Sequence, residues 1–509
     1  MILSKKIFLR KLFVSIHWTE NNYKNLCESC DRILSSRKLK QQEIQNPLLH
    51  VIRPHPTFLK KYELVLKKLP MTYSIGYVLN FAINILRALK SIKVKKNYTK
   101  RSSAKSTDVL IVSHLINTKE AGKEHDFYYG NLRQQLEDNG YSVSVALMNH
   151  TSKSSEILAQ EWEEKSPIVV LKNALNLSKE LIFLWEGLVE WYQLKKHSKI
   201  AKSNIEKNVA KLAAGYALSG GSIGTLRCAD QIKSLINTLK PGVIILTYEG
   251  HSWERLAFKA AKSIDANILC IGYQHATVFY RQHGLTRLLG LGYDPDVILT
   301  SGQVARNYLQ AQKELSDVSI DVLGSVRFRC INTSKSEIID KGSCLVIPEG
   351  VDDEAYSLFH FSLECSKIMP DIQFIWRLHP HMNFEKFKEK YLLFKKLPPN
   401  IKISNRSLDV DIDQAKFALY RGSSAVIQAV VSGVYPIYLK TDNEITVDPL
   451  FMMHELRYTV TNPDDFKKIS GNQEMDTEKF KLLQQHCMDL FSPLDVNVLE
   501  KIIEKHKNK

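Results

Sequence analysis

Apolar runs of strand length recur along this chain of 509 residues, and six of them end on a short polar cluster. Segments with the apolar spacing of helices separate these runs, as in a parallel sheet that is covered on both faces. Ligands of such sheets bind outside the carboxyl ends of the strands. The pattern therefore predicts an α/β chain whose polar clusters line a cleft. These clusters are Tyr248-Glu249-Gly250, Gln274-His275, Ser301-Gly302, Pro348-Glu349-Gly350, His379-Pro380-His381 and Gly422-Ser423-Ser424.

The alternation of strands and helices occurs in two series, which predicts two Rossmann-like lobes. The first lobe covers residues 108–325 and contains a helical insertion at 173–217. The second lobe covers residues 326–509, and its last part, 476–506, has a helical pattern that could pack back across the cleft. The stretch DVLGSVRF at 321–328 is the predicted hinge. A chain of this length can supply each lobe with its own core.

Residues 1–107 hold all of the excess positive charge. They carry 22 Lys and Arg against 5 Asp and Glu, whereas the rest of the chain carries 48 against 49. Within this segment, 1–18 and 71–89 interleave bulky apolar residues with Lys and Arg, as interfacial helices do. Asn80 and Asn84 interrupt the second stretch, so that it lacks the roughly 20 apolar residues of a transmembrane span. We predict a basic helical segment that associates with an anionic membrane surface, where each Lys or Arg contributes roughly 1 kcal/mol.

Two alternatives for this basic segment stay open, namely a solvated helical face and a nucleic-acid-binding face. No nucleic-acid-binding module accompanies the charge, so a nucleic-acid partner is not expected. Residues 1–18 lack the uninterrupted apolar stretch and the small-residue cleavage site of a secretory signal. Eight cysteines in so long a chain do not form a disulfide framework, which fits a reducing compartment. The expected location is cytoplasmic and peripheral, at the inner face of the cytoplasmic membrane.

Two clusters of the second lobe have the chemistry of an anion site. Arg377 and His379 end one predicted strand and share a face, because side chains two residues apart on a strand point the same way. Together they could donate hydrogen bonds to one phosphate. Gly422-Ser423-Ser424 precedes a predicted helix, whose N-terminus attracts anions and whose glycine allows a close approach. The alternatives are a salt-bridged strand end for the first cluster and simple helix capping for the second.

Glu249, at the tip of a first-lobe strand, is the candidate general base. A carboxylate at the floor of a cleft can accept the proton of an attacking hydroxyl if burial raises its pKa toward neutrality. The alternative is an acidic residue that the dipole of the next helix favours. Glu254, five residues further on, is expected to be a solvated charge in the first turn of that helix. His275 either orients an acceptor, polarises a leaving group or bonds the local backbone.

No metal site is predicted. Asp409, Asp411 and Asp413 have a spacing that a divalent cation could use, but we expect them to form a solvated acidic turn. Ser219-Gly220 is predicted to begin a flexible turn that could touch a lipid-linked phosphate. The sequence motifs of dinucleotide oxidoreductases, P-loop NTPases, zincin metalloproteases and α/β-hydrolases are absent.

An acidic-Gly element in the first lobe, His-Pro in the second and a Ser pair after it resemble the motifs of bacterial sialyltransferases and polysialyltransferases of GT-B fold. The stretches YEGHSWE, GYQHA, LTSG and VLGSVR are similar to a broader group of bacterial surface-carbohydrate glycosyltransferases. The resemblance covers roughly residues 240–440. It implies that Glu249 is the general base and that His379, Ser423 and Ser424 bind the donor phosphate.

One residue departs from the family pattern, since Tyr248 stands where a second acidic residue is usual. The resemblance and the basic segment imply an inverting, metal-independent glycosyltransferase, which would move a sugar from a nucleotide-activated, CMP-linked donor to a lipid-linked surface-polysaccharide acceptor of capsule or lipopolysaccharide. No cofactor is expected beside the nucleotide-sugar substrate. The alternatives are a CDP-polyol phosphotransferase and a non-catalytic membrane-surface subunit of a polysaccharide assembly complex. The predicted catalytic residues are Glu249 and His275, and the predicted donor-binding residues are Arg377, His379, Pro380, Gly422, Ser423, Ser424, Glu349, Gly350, Ser301 and Gly302.

Overall fold

The computed structural model describes most of the chain, and residues 1–17 of the interfacial helix predicted over 1–18 lie outside the described residues. Two parallel sheets and the helices that cover them make up the described part. The described residues are 18–35, 43–67, 72–93, 106–163, 166–328, 342–380, 382–442, 444–471 and 476–508.

The described part of the N-terminal segment is helical, and it is followed by a seven-stranded sheet with the order β3-β2-β1-β4-β5-β6-β7. Every neighbouring pair of these strands is parallel. Its strands are β1 (Val109–Leu115), β2 (Val143–Asn149), β3 (Ile168–Leu171), β4 (Val243–Thr247), β5 (Leu269–Gln274), β6 (Val297–Thr300) and β7 (Ser319–Val322). The helices up to this point are α1 (Glu20–Ser35), α2 (Pro56–Leu59), α3 (Thr72–Lys90), α4 (Leu132–Asp138), α5 (Ser155–Ala159), α6 (Leu177–Ile200), α7 (Asn204–Ala217), α8 (Gly220–Leu239), α9 (Ser252–Ile264), α10 (His283–Thr286) and α11 (Gln303–Gln310).

The second sheet has six parallel strands in the order β10-β9-β8-β11-β12-β13. Its strands are β8 (Ser343–Ile347), β9 (Gln373–Arg377), β10 (Ile401–Ser404), β11 (Phe417–Tyr420), β12 (Tyr435–Leu439) and β13 (Tyr458–Val460). The remaining helices are α12 (Asp352–Ile368), α13 (Phe384–Lys390), α14 (Leu408–Ile412), α15 (Ala425–Val431), α16 (Pro463–Gly471), α17 (Thr477–Asp489) and α18 (Val496–Lys507).

Both sheets have the strand order of a Rossmann fold, with the direction of the connections reversing between β1 and β4 and again between β8 and β11. The crevice beside such a reversal, outside the carboxyl ends of the strands, is where these folds bind ligands. The prediction of an α/β chain with two Rossmann-like lobes, as in the GT-B architecture, is confirmed.

Helices α1 and α18, near the two ends of the described residues, pack onto the first lobe. Tyr23 and Leu26 of α1 are buried in one core with Leu194 and Val209 of the helical insertion. At the other end, Leu499 of α18 is buried in the core of the first sheet. The expected return of the C-terminal helices across the cleft therefore occurs, and it connects the second lobe to the first.

Three details differ from the sequence-based predictions. Strand β3 was not expected, and β7 occupies the beginning of the predicted hinge. Ser219 caps α8 by accepting a hydrogen bond from the backbone N–H of Gly221 at 3.2 Å, so this stretch begins a helix and is not a flexible turn. Within the described ranges, no helix combines the length and the apolarity that a membrane span requires.

Candidate functional site

Glu249 lies at the carboxyl end of β4, in a turn that the carboxylate of Glu254 holds in place. Glu254 is 1% exposed and accepts hydrogen bonds of 2.7–3.2 Å from the backbone N–H groups of Glu249, Gly250 and His251. Burial raises its pKa to about 7. The prediction that Glu254 is a solvated charge is wrong. A carboxylate in the first turn of α9 can reach the free N–H groups before the helix, and the fold closes over that contact.

The Glu249 carboxylate is paired with an imidazole. His251 Nε2 lies 3.3 Å from Glu249 Oε2, and the two side chains are 42% and 29% exposed. Burial would raise the pKa of Glu249, but its hydrogen bond with His251 and its electrostatic interactions with His275, His251 and Arg53 outweigh burial and lower this pKa to about 2. The pKa of His251 is raised, because its bond to Glu249 outweighs burial. The condition for Glu249 to act as the base by itself, a pKa raised toward neutrality, is therefore not met, and Glu249 and His251 form a carboxylate–imidazole dyad.

Other histidines lie around this dyad, at the carboxyl ends of β1, β2 and β5. His114 Nδ1 is 2.8 Å from His150 Nε2, and His114 Nε2 is 2.8 Å from Thr247 Oγ1. Burial lowers the pKa of His114 to about 3 and that of His275 to about 4. The His275 ring packs against Tyr128 with centroids 4.4 Å apart, and its buried Nδ1 has no hydrogen-bond partner among the described residues. Such a nitrogen is suited to bind a polar group of a ligand.

The predicted clusters of the second lobe meet beside β8, β9 and β11. Gly422 packs so closely against the Glu349 carboxylate that any Cβ at position 422 would overlap it. Gly350 packs against the His379 ring, and a Cβ at position 350 would lie 2.8 Å from ring atoms. Glycine meets both requirements because it has no side chain. The structure thus brings Glu349, Gly350, His379 and Gly422 together at the reversal of the second sheet.

Glu349 is an ionised carboxylate with one oxygen available. Burial would raise its pKa, but the hydrogen bond of His55 and the charge of Arg53 outweigh burial and lower it. His55 occupies Oε2 at 2.9 Å, and the buried Oε1 has no hydrogen-bond partner in the part of the chain that the structure describes. Oε1 could accept a hydrogen bond from a ligand hydroxyl.

Arg377 is part of an ion-pair network around the buried carboxylate of Asp411. Its Nη1 donates to Asp411 Oδ2 at 3.1 Å and to the backbone carbonyl of Arg406 at 2.7 Å. Asp411 has a side-chain exposure of 0% and also accepts from the Ser404 hydroxyl at 2.6 Å. Asp411 is therefore not part of a solvated turn, which corrects that prediction. Arg377 therefore belongs to a salt-bridged strand end, which was one of the two alternatives predicted from the sequence. His379 does not take part in this ion pair, and its ring packs against Gly350.

Ser423 and Ser424 lie between β11 and α15. Ser424 is the N-cap residue, but its side chain makes no capping hydrogen bond, so the capping alternative is not observed there. Ser424 instead lines a cavity of about 240 Å³ together with Arg327 and Gln428. Pro380 is exposed, in a turn that follows His379. No group of three or more His, Cys, Asp or Glu residues in the described ranges has the arrangement of a metal site.

Ser301 and Gly302 are buried under the C-terminal segment. The Ser301 hydroxyl donates to the Leu490 carbonyl at 3.3 Å, and the backbone N–H of Ser492 donates to the Ser301 carbonyl at 2.9 Å. The main chain of Asp489 covers Gly302 so closely that no Cβ would fit there. Ser301 and Gly302 therefore bind the C-terminal segment to the first lobe. They were predicted to contact the donor, but the C-terminal segment covers them.

Residues 53–55 of the N-terminal segment lie between the two lobes, and the sequence analysis missed them. His55 is 2% exposed and binds Glu349 of the second lobe. The Arg53 guanidinium lies over the ring of Phe279 at 3.6 Å, and burial lowers its pKa although the carboxylates of Glu349 and Glu249 oppose this effect. One feature of the sequence could have indicated these residues. The stretch RPHP at 53–56 contains the same His-Pro pair as RLHP at 377–380.

No family model and no curated protein matches this chain. Solved structures are similar to it over most of its length. The glycotransferase of kitacinnamycin is 12% identical, with 79% of this chain and 99% of that chain covered and a TM-score of 0.46. The glycosyltransferase SnogD of Streptomyces nogalater is 11% identical, with 79% and 100% covered and a TM-score of 0.45. A UDP-N-acetylglucosamine 2-epimerase is 12% identical, with 80% and 97% covered and a TM-score of 0.44.

Proposed function

We propose that this chain is a glycosyltransferase that moves a sugar from a nucleotide-activated donor to a membrane-anchored glycan. The observation that carries the proposal is the position of Arg53 and His55 between two strand-end edges. Glu249 belongs to the edge of the first lobe and Glu349 to that of the second, and both carboxylates act on Arg53. A donor held at one edge and an acceptor held at the other would therefore meet beside these residues.

The second lobe is the proposed donor side. Gly350 and Gly422 let the His379 ring and the Glu349 carboxylate pack against the main chain, and Glu349 Oε1 can accept a hydrogen bond from a ribose hydroxyl. His379 and Arg53 would bind the phosphate. Ser423, Ser424 and Pro380 would complete the phosphate side, while Arg377 would act through Asp411 by holding the end of β9 in place. A CMP-linked donor is the version that the motif resemblance favours.

The first lobe is the proposed acceptor side, and the dyad of Glu249 and His251 is the proposed base. The acceptor hydroxyl attacks the anomeric carbon and gives its proton to the dyad. The new glycosidic C–O bond forms as the bond from that carbon to the phosphate oxygen breaks, and the nucleotide leaves with the electron pair. His275 would orient the acceptor through its free Nδ1. The charge that develops on the leaving phosphate would be stabilised by His379 and Arg53. Attack from the face opposite the phosphate would invert the anomeric carbon.

The basic N-terminal segment would hold the enzyme at the inner face of the cytoplasmic membrane, where lipid-linked acceptors of capsule or lipopolysaccharide are extended. A thermal-shift panel with CMP, CDP, UDP, GDP and UMP tests the donor side in the full-length chain, since a truncated chain would lack Arg53 and His55. A nucleotide at 100 times its Kd should stabilise the fold by about 2.7 kcal/mol. We expect a shift with one nucleotide, lost in His379→Ala and kept in Glu249→Gln.

Turnover of the same variants tests the acceptor side. Glu249→Gln should abolish sugar transfer while the nucleotide still binds. Full turnover in this variant would refute the assignment of the dyad, and the absence of a shift with any nucleotide would favour the non-catalytic subunit. A product with a new phosphodiester in place of a glycosidic bond would identify the CDP-polyol phosphotransferase.

A further inference from the structure

Helix α6 buries two carboxylates and exposes several bulky apolar side chains, which is unusual for a surface helix. Glu180 and Glu190 are 3% and 0% exposed, while Leu181, Trp185 and Tyr192 on its outer side are 49%, 66% and 63% exposed. The buried carboxylates have partners, since Glu180 accepts from Arg227 and Glu190 accepts from Gln45 and Asn46. A surface helix in water normally turns its charged residues outward. The buried carboxylates of α6 therefore have partners within the protein, and bulky apolar side chains cover much of its outer face.

Helix α3 packs beside α6 and extends the same apolar surface. Val78, Leu79, Ile83, Leu86 and Leu89 are between 46% and 66% exposed. There is no acidic residue anywhere in its sequence TYSIGYVLNFAINILRALK. A single exposed leucine is ordinary, but a contiguous apolar patch of this kind marks an interaction site. We call the outer faces of α3 and α6 together the α3–α6 surface.

Cations lie at the ends of this surface. Arg87 and Lys90 are exposed in the last turn of α3, and Lys195, Lys196 and Lys199 are exposed toward the end of α6. Trp and Tyr side chains have an apolar body and a polar tip, and they concentrate at the boundary between lipid and water. Lys and Arg beside them attract anionic lipid headgroups. A second copy of the chain would bring the same cations together, so charge favours an anionic lipid over a dimer.

The α3–α6 surface is also close to the proposed acceptor side. Asn84 of α3 donates to the Leu218 carbonyl at 3.0 Å, directly before α8. Thr225 of α8 lies 3.1 Å from the Ser252 hydroxyl, at the first residue of α9. The five residues from the start of α8 to Thr225 rise by about 8 Å. An acceptor anchored in lipid at this surface would therefore lie near the turn that holds Glu249.

We propose that the α3–α6 surface lies in the headgroup region of an anionic lipid bilayer, with Leu79, Leu86, Leu181, Trp185 and Tyr192 as its main apolar contacts. This inference rests on the membrane attachment in the proposed function and assigns it to a surface that includes the helical insertion. Such a surface binds by burying its apolar side chains among the lipids and by electrostatic attraction to their headgroups.

Vesicle co-sedimentation of the full-length chain tests this inference. We expect binding to vesicles of phosphatidylcholine mixed with phosphatidylglycerol, and weaker binding to phosphatidylcholine alone. Leu86→Ser combined with Trp185→Ser should reduce partitioning by about tenfold or more. Leu392→Ser combined with Leu482→Ser is the matched control, because these leucines are 66% and 62% exposed on the second lobe and α17. The control should bind like the unmodified chain.

A second variant avoids changes to the apolar residues: Lys90→Gln with Lys195→Gln and Lys196→Gln should remove the preference for anionic vesicles. Equal binding by the Leu86/Trp185 variant and the unmodified chain, or no binding by the unmodified chain, would overturn the inference. Loss of a dimer in that variant would identify a second copy as the occupant and would also overturn it. Nucleotide thermal shifts keep the two proposals apart, since vesicle binding without any nucleotide shift would contradict only the proposed function.

Discussion

His55 Nε2 donates a hydrogen bond to Glu349 Oε2 at 2.9 Å, although 294 residues separate the two in the chain. The proton is on Nε2 because the backbone N–H of Thr57 donates to His55 Nδ1 at 3.2 Å. The contact places the N-terminal segment against the second lobe and holds the Glu349 carboxylate with Oε1 available. The basic segment therefore contributes to the candidate site as well as to the charge of the chain.

Replacing His55 should weaken nucleotide binding. His55→Ala leaves a buried carboxylate without its donor, and hydrogen bonds to charged groups contribute about 1.5–3 kcal/mol. We expect nucleotide affinity, measured by calorimetry, to fall by about tenfold or more. Lys60→Ala is the matched control, because Lys60 and Asp353 also join the segment to the second lobe but are 66% and 56% exposed. Equal affinities for the two variants would remove His55 from the site.

Adding one methyl group at either glycine of the second lobe should also disrupt nucleotide binding. Gly350→Ala would press on the His379 ring, and Gly422→Ala would overlap the Glu349 carboxylate. Each variant must displace a residue that is proposed to bind the donor, either His379 or Glu349. The thermal shift that the nucleotide produces should therefore disappear in both variants. Gly342→Ala is the control, since a Cβ there meets nothing within 4 Å. A normal nucleotide shift in Gly350→Ala and Gly422→Ala would show that the donor binds elsewhere.

The local part of this site could be predicted from the sequence. The apolar run VIILT and the polar residues after it predict the end of β4 and the position of Glu249, because strand length and turn chemistry are local properties. The same holds for Glu349, His379 and Gly422, which each follow a strand. Parallel strands bring such residues to one edge of a sheet whatever the details of packing.

The partners of these residues could not be predicted in the same way. The sequence predicts that Glu254 is exposed, because it is a charged residue in the first turn of a helix. In the structure it is buried, and its carboxylate accepts hydrogen bonds from three backbone N–H groups. Arg377 shares a strand face with His379, yet Asp411, 34 residues away, binds its guanidinium. His55 is separated from its partner by most of the chain. Such pairings depend on how lobes and segments pack, which periodicity does not encode.

Acid should destabilise the fold through its buried histidines. The pKa of His114 is about 3 and that of His275 about 4 in the folded chain, against about 6.5 for a histidine in an unfolded chain. Below pH 6.5 the unfolded chain therefore binds protons that the folded chain does not, and the free energy of unfolding decreases toward pH 4. Each such histidine contributes a slope of up to about 1.4 kcal/mol per pH unit. Urea unfolding from pH 7 to pH 4 should show a smaller slope for His114→Gln and an unchanged slope for His360→Gln, whose histidine is exposed. An unchanged slope in His114→Gln would mean that His114 is protonated in the fold.

Removing Glu254 should damage the acceptor side without affecting the donor side. Glu254→Ala deprives the backbone N–H groups of Glu249, Gly250 and His251 of their acceptor. An unsatisfied buried polar group costs about 1–3 kcal/mol, so the melting temperature should fall and the Glu249–His251 dyad should lose its position. Glu254→Gln keeps one acceptor oxygen and should lose less stability.

A second acidic residue in the first turn of a helix serves as the control for Glu254→Ala. It shows whether the effect comes from the hydrogen bonds of Glu254 or from the loss of any negative charge near a helix N-terminus. Glu156 lies in the first turn of α5 and is 54% exposed, so Glu156→Ala should change stability and turnover little. Nucleotide binding should persist in Glu254→Ala, because its proposed contacts belong to the second lobe, while sugar transfer falls sharply. A loss of nucleotide binding together with turnover would mean that the turn around Glu249 also positions the donor.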